Sequence, residues 1–442
     1  MSVGRSSVRS VIENVFDIDP QASEAELRDQ IEHFERVKSA AAAAQARAAV
    51  IWDRKRREAE AAAGVSAARR GKGLSAEIAL ARREAPNAGG RHLGFARALV
   101  EEMPHTLAAL EGGALSEWRA TLIVRESACL SPELRRQLDA ELSADPSRFD
   151  GWGDSRVAAE AKKIACRLDI GAVLDRSAQA EKDRRVTLRP APDAMTKLTV
   201  LLPMKQGVAV YASLNQAANT TFDDRSRGQV MADTVFERVT GRPADAPVPV
   251  NLNLVMADTT LFGDDDLPAW VQEYGPVAAE VARRMVVDAT LDEKARAAVR
   301  RLYRHPKSGQ LVAMESKSRL FPKGLATFIG LRDQTCRTPY CNAPVRHRDH
   351  AVPHREGGPT SVTNGLGLCE ACNYTKEADD WTVTTTLTPD GDHVAEYITP
   401  TGAVYRSTAP PLPGPPSDRE RERDPRLAEE GFTITRLTFD AA

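Results

Sequence analysis

The sequence predicts a mainly helical, α+β protein: an N-terminal helical bundle, a small mixed α/β part behind it, and a C-terminal domain organised around cysteines. Alanine is abundant while aromatic residues make up only 5% of the chain, which favours helices packed through small side chains. Apolar residues recur at helical spacing up to about residue 183 and then alternate in β fashion. Four of the six cysteines fall in two close pairs, Cys336/Cys341 and Cys369/Cys372.

A length of 442 residues with 42% hydrophobic residues allows two or three domains with buried cores and excludes a disordered chain. The net charge of -2 means that any nucleic-acid-binding face is local and offset by acidic surface elsewhere. In an N-terminal segment, 1–22, the stretch from Met1 to Phe16 mixes Arg5, Arg9 and Glu13 among single apolar residues, unlike a signal peptide, and the alanine run from Ala40 is broken by Gln45 and Arg47. No stretch reaches the roughly 18 uninterrupted apolar residues that span a bilayer, so a cytoplasmic protein without a membrane partner is expected. Six cysteines are too few for a secreted disulfide scaffold. Cys129 and Cys166 read as small buried residues.

The helical domain is expected over residues 23–183. Ser23 followed by Glu26 is a capping-box signature, and Leu27, Ile31 and Phe34 then recur on one face into a long first helix ending near Gly64. Further helices are expected over 75–85, 94–110, 116–128, 132–143 and 155–178. An α+β subdomain over 184–321 follows, where Val186 and Leu188, then Leu198, Val200 and Leu202, flank a Pro190-Ala191-Pro192-Asp193 turn as a hairpin. Helices over 205–219 and 226–238, a strand over 250–256 and a hairpin over 301–321 complete it. A helix over 322–332 opens the C-terminal domain, 322–406, in which 382–386 and 393–399 read as strands; from Ser407 a Pro-rich and then charged segment, 407–442, reads as a mobile tail.

Two short cysteine turns brought together from separate points supply four thiolates, the tetrahedral set that Zn²⁺ favours. Cys336 and Cys341 form one knuckle and Cys369 and Cys372 the other, with His347 an alternative to one thiolate. In so small a domain such an ion is expected to take the place of a hydrophobic core, contributing on the order of 10 kcal/mol of apparent folding free energy. Four thiolates close the coordination shell, so this Zn²⁺ is structural and catalysis needs other groups. Between the knuckles, residues 346–353 read as a strand, Gly357-Gly358 as a turn and 364–368 as a second strand, with a helix starting near Glu370. That order sets Asp349 and His350 opposite Asn373 on the first helical turn.

These residues resemble the HNH endonuclease family, whose active site is a ββα-metal fold, with His350, Asn364 and Asn373 at the three name-giving positions. The resemblance covers roughly 330–381. It implies that His350 is the general base, that Asp349 and Asn373 hold a divalent cation, and that Asn364 organises the loop by side-chain bonds to backbone. A long helical region before such a motif is also similar to an abundant actinobacterial family whose N-terminal part is a domain of unknown function, over most of 30–380.

The chemistry is coherent by itself. Phosphodiester hydrolysis needs an activated water, stabilisation of phosphoryl charge and help for the departing oxygen. An imidazole accepts a proton at neutral pH once its tautomer is fixed. A carboxylate and an amide oxygen suit a hard cation, and an asparagine where many family members have histidine points to Mg²⁺ or Mn²⁺. Arg346, Arg348, Arg355 and Lys376 are candidate contacts to DNA phosphates, against the alternative of an ordinary charged surface. The expectation is a DNA endonuclease, with double-stranded DNA ahead of RNA as substrate. The competing reading is a non-catalytic zinc ribbon that binds nucleic acid or protein. Protein partners are not written in these residues.

Overall fold

Ser23 opens the first helix by a reciprocal cap: its hydroxyl accepts the Glu26 N–H, and the Glu26 carboxylate accepts the Ser23 N–H at 2.8 Å. Two donors that the first turn leaves unpaired are thereby satisfied. The computed structural model describes residues 18–245, 253–263, 265–291, 311, 321–415 and 417–423. In chain order the first helices are α1 (Glu24–Ala62), α2 (Leu74–Ala81), α3 (Gly89–Arg97), α4 (Pro104–Glu111), α5 (Glu117–Ser127), α6 (Pro132–Ser143), α7 (Asp154–Leu168) and α8 (Ile170–Lys182).

The chain divides into two compact units, one built from Met1–Gly71 and Gly90–Ser177, the other from Lys72–Gly89 and Ala178–Ala442. In the first, α1 buries Ala42, Ala43, Ala46, Ala49 and Val50, small side chains that allow close helix packing. The Asp139 carboxylate of α6 is fully buried and accepts the N–H groups of His105 and Thr106, both at 2.8 Å, so it caps the start of α4. Two expected helices are interrupted. The segment 94–110 breaks into α3, a π-helical turn over Ala98–Glu102, and α4. Pro104 has no N–H to continue the ladder and restarts the helix at its first position. The segment 155–178 divides at Asp169, which is extended and whose carboxylate accepts the Ala172 N–H at 2.9 Å. Cys129 and Cys166 are half-buried, not buried as expected.

In the second unit the hairpin is β1 (Arg185–Ala191) against β2 (Met195–Leu201), with Val186 opposite Val200 and Leu188 opposite Leu198. Then come α9 (Met204–Thr220), α10 (Arg227–Thr240), β3 (Leu254–Val255), α11 (Asp258–Phe262), β4 (Ala269–Val271), β5 (Gly275–Val277) and α12 (Ala279–Leu291). The expected strand over 250–256 is thus described only at its end, and the expected hairpin over 301–321 lies outside the described residues apart from 311 and 321. The C-terminal part runs α13 (Lys323–Asp333), β6 (His347–His350), β7 (Gly365–Leu368), α14 (Glu370–Thr375), β8 (Thr382–Leu387), β9 (His393–Ile398), β10 (Val404–Thr408) and α15 (Asp418–Arg423).

Strands β8, β9 and β10 form an antiparallel sheet in the order β10-β9-β8. The four cysteines pack in one apolar cluster with Leu366, Leu368, Val383, Ala395 and Tyr397. The sheet therefore adds a hydrophobic core beside the sulfur cluster, where the sequence reading expects the ion to stand in for one. The chain also stays ordered past Ser407: β10 continues to Thr408, and Leu412 is buried with Leu325, Phe328 and Ile329 of α13. The remainder of the expected tail, 424–442, lies outside the described residues.

Candidate active site

The first knuckle is shaped by backbone bonds: Cys336 N–H donates to Ala343 O at 2.9 Å and Cys341 N–H to Thr338 O at 3.0 Å. The second is the start of α14, where Cys369 is the N-cap and its sulfur accepts the Cys372 N–H at 3.5 Å. All four thiols are buried and their sulfurs lie within 4.8 Å of one another. Hydrogen bonds shared among the sulfurs push the Cys341 and Cys372 thiols up and hold those of Cys336 and Cys369 down. Neighbouring thiolates repel one another, so all four ionise together only around a cation. These cysteines are therefore positioned to hold a metal ion, and His347, on β6, is outside the set.

Behind the hairpin a buried ionic network fixes the strands. Asp333 is fully buried and accepts two bonds from Arg332, at 2.7 and 2.9 Å, one from Arg337 at 2.9 Å and one from the Gly367 N–H at 2.6 Å. Arg332 also donates to the carbonyls of Val362 and Gly365, and Arg337 to those of His393 and Ser407. His393 lies 3.2 Å from Arg337 through Nδ1 and 2.8 Å from Thr363 O through Nε2, and burial lowers it to about 3. The network ties α13, the first knuckle, β7, β9 and β10 together, so removing one partner would strand a buried charge.

On this support β6 pairs antiparallel with β7, Asp349 opposite Leu366 and His350 opposite Gly365. His350 is buried, with Nε2 2.8 Å from Thr360 Oγ1 and Nδ1 3.6 Å from Asp349 Oδ1; its ring tilts against Phe321 at 4.6 Å. Burial pulls its pKa below 6.5 despite the adjacent carboxylate. Asn364 clasps the loop: its Oδ1 accepts the Val352 N–H at 2.9 Å, and its Nδ2 donates to Val352 O and Pro359 O at 3.0 and 2.9 Å. Gly358 lies beneath that clasp, where a Cβ would come within 1.8 Å of Val352 O. On α14, Asn373 Oδ1 is buried without a partner, and one turn later the Lys376 ammonium sits 3.1 Å from Asp349 Oδ2. A cleft of about 630 Å³ opens beside Asp349 and His350, lined also by Phe321, His354, Lys376 and Glu377, whereas Asn373 is not among its lining residues.

Residues 32–333 match the family described as a domain of unknown function, DUF222, and residues 336–379 match the HNH endonuclease family. The chain belongs to the DUF222 family. This DUF222 protein carries a C-terminal HNH endonuclease domain that contains both knuckles, His350, Asn364 and Asn373. No curated protein and no solved structure matches it.

The four basic residues nominated from the sequence are placed differently around the DUF222 protein's cleft. Arg355 is 68% exposed at the rim and paired with Glu377 and Glu356, and Arg346 is 60% exposed beside Glu273. Arg348 lines the cleft with its Nε buried and unpartnered, its guanidinium over Gly330. Lys376, expected as a surface phosphate contact, is instead a buried ion-pair residue whose side chain is 3% exposed, because two carboxylates flank it. Thr360, Phe321, Glu377 and the Asp333 network escaped the sequence reading. Only Arg332-Asp333 at the end of a helix gave a signal, and charge pairs in sequence are normally solvated. Among the described residues no helix is long and apolar enough to cross a membrane.

Proposed function

We propose that the HNH domain hydrolyses DNA phosphodiester bonds, with His350 as general base and one Mg²⁺ or Mn²⁺ held by Asp349 and Asn373, while a Zn²⁺ on Cys336, Cys341, Cys369 and Cys372 serves structure alone. The observation that carries this reading is His350: a buried imidazole on the cleft floor, one nitrogen held by Thr360 Oγ1 and the other on the Asp349 side. With Nε2–H donating to Thr360, the Nδ1 lone pair is left to take a proton from water, and the lowered pKa keeps the ring neutral at pH 7. The fit of a hard cation rests on the Asp349 carboxylate and on the orphaned, buried Asn373 Oδ1, which would gain the partner it lacks. When bound, that cation supplies charge stabilisation at the phosphate and at the departing oxygen. Asn364 keeps the residues after His350 in place, and exposed Arg346 and Arg355 supply positive charge for the backbone.

Nicking of supercoiled plasmid with Mg²⁺ or Mn²⁺ tests the proposal. His350→Ala is expected to abolish cutting while one Zn²⁺ per chain and the fold are kept. Wild-type protein that binds DNA but never cuts it, with any divalent cation, would favour the non-catalytic zinc-ribbon reading. Competition with RNA of the same sequence reads the sugar preference.

A further inference from the structure

Both oxygens of Asp349 are already engaged. Oδ1 accepts the His350 N–H at 2.8 Å, and Oδ2 lies 3.1 Å from the Lys376 ammonium. Lys376 also donates to Glu377 Oε1, and Glu377 Oε2 in turn accepts from Arg355 at 2.9 Å. A row of alternating charges, Arg355, Glu377, Lys376 and Asp349, therefore runs inward from the cleft rim and ends at the carboxylate beside His350. A buried ammonium is costly unless paired, so this lysine is held by its two carboxylates and cannot swing freely to solvent. A cation approaching Asp349 meets a fixed positive charge in contact with the oxygen it would use.

We infer that Lys376 is the resident counter-ion of Asp349: it orients the carboxylate while no divalent cation is bound, and it sets the affinity of the site by competing for Oδ2. Lys376 is a positioning residue, acting through Asp349. The inference rests on the reading of Asp349 as a cation ligand. Glu377 moderates the competition by drawing the ammonium toward itself.

Mn²⁺ binding to the full-length, zinc-loaded protein without DNA, followed by the EPR signal of free Mn²⁺, tests this. Lys376→Met keeps length and removes charge, and is expected to tighten Mn²⁺ binding ~10-fold, whereas Lys376→Arg stays near wild type. Unchanged or weaker binding in a Lys376→Met protein with wild-type circular dichroism and zinc content overturns the inference. Should that variant not fold, Glu377→Gln serves: it leaves the ammonium to Asp349 alone and is expected to weaken Mn²⁺ binding several-fold, and unchanged affinity overturns the inference equally. Asp349→Asn separates the two layers. If it binds Mn²⁺ like wild type, Asp349 is no ligand and both readings fall; if it loses Mn²⁺ while Lys376→Met changes nothing, only the role of Lys376 falls.

Discussion

The side-chain amide of Asn364 bonds the backbone of Val352 in both directions, accepting its N–H at 2.9 Å and donating to its carbonyl at 3.0 Å. Val352 stands two residues after His350, so the clasp fixes the chain where β6 ends and the glycine turn begins. No hydroxyl or carboxylate reproduces it, because a third bond, to Pro359 O, needs the second amide hydrogen.

Asn364→Ala is therefore expected to destabilise the domain by ~1–3 kcal/mol, since it removes a buried side chain and leaves a part-buried N–H and two carbonyls without it. Nicking should fall ~100-fold through displacement of His350, with zinc retained. Asn364→Asp keeps the acceptor and loses both donations, so it should fare no better. Urea unfolding and plasmid nicking check both effects, and an Asn364→Asp protein of wild-type activity would refute the clasp.

What the sequence made legible was local chemistry. The Ser23/Glu26 cap, the β1–β2 turn and the cysteine knuckles each depend on residues close in the chain whose types have few other uses. Pro104 was equally legible as a break, yet apolar spacing carried the expected helix through it. Less accessible were contacts between distant segments. Lys376 has the sequence signature of a surface cation, and only the approach of β6 to α14 turns it inward onto Asp349. Asp333 and His393 are joined through Arg337 across sixty residues that no local pattern links. The docking of residues 72–89 onto the HNH domain is further still from any sequence signal.

His393 gives a pH dependence with a defined sign. Its folded value is about 3 against an ordinary 6.5, because burial opposes the charged ring. Below pH 6.5 the unfolded chain binds a proton that the folded domain refuses. The contribution is thus intact above pH 6.5 and is lost as pH falls toward about 3, reaching ~2 kcal/mol at pH 5. His393→Gln can still donate to Thr363 O and accept from Arg337, so it is expected to remove this part of the slope. Urea unfolding of both proteins at pH 7, 6 and 5 reads the difference, and parallel slopes would contradict the assignment.

The last prediction concerns α2, which lies far from the HNH domain in sequence but packs Ala76 and Leu80 against Ala378 and Trp381. Buried Glu77 accepts the Thr401 hydroxyl at 2.9 Å, and Gly73, at a φ of +86°, lets the chain pass so close to Trp381 that a Cβ would lie 2.8 Å from its indole nitrogen. Ala378 and Trp381 follow directly on α14, so α2 braces the helix that carries Asn373 and leads to Lys376. Leu80→Ala removes a fully buried side chain and is expected to cost ~2–5 kcal/mol in this unit. Hydrogen exchange should then quicken over residues 370–381 while α5, α6 and α7 keep their protection, because those helices belong to the other compact unit. Unchanged exchange at 370–381 in the Leu80→Ala protein would mean that the HNH domain stands without α2, and a fragment beginning at residue 322 would then be expected to fold and cut by itself.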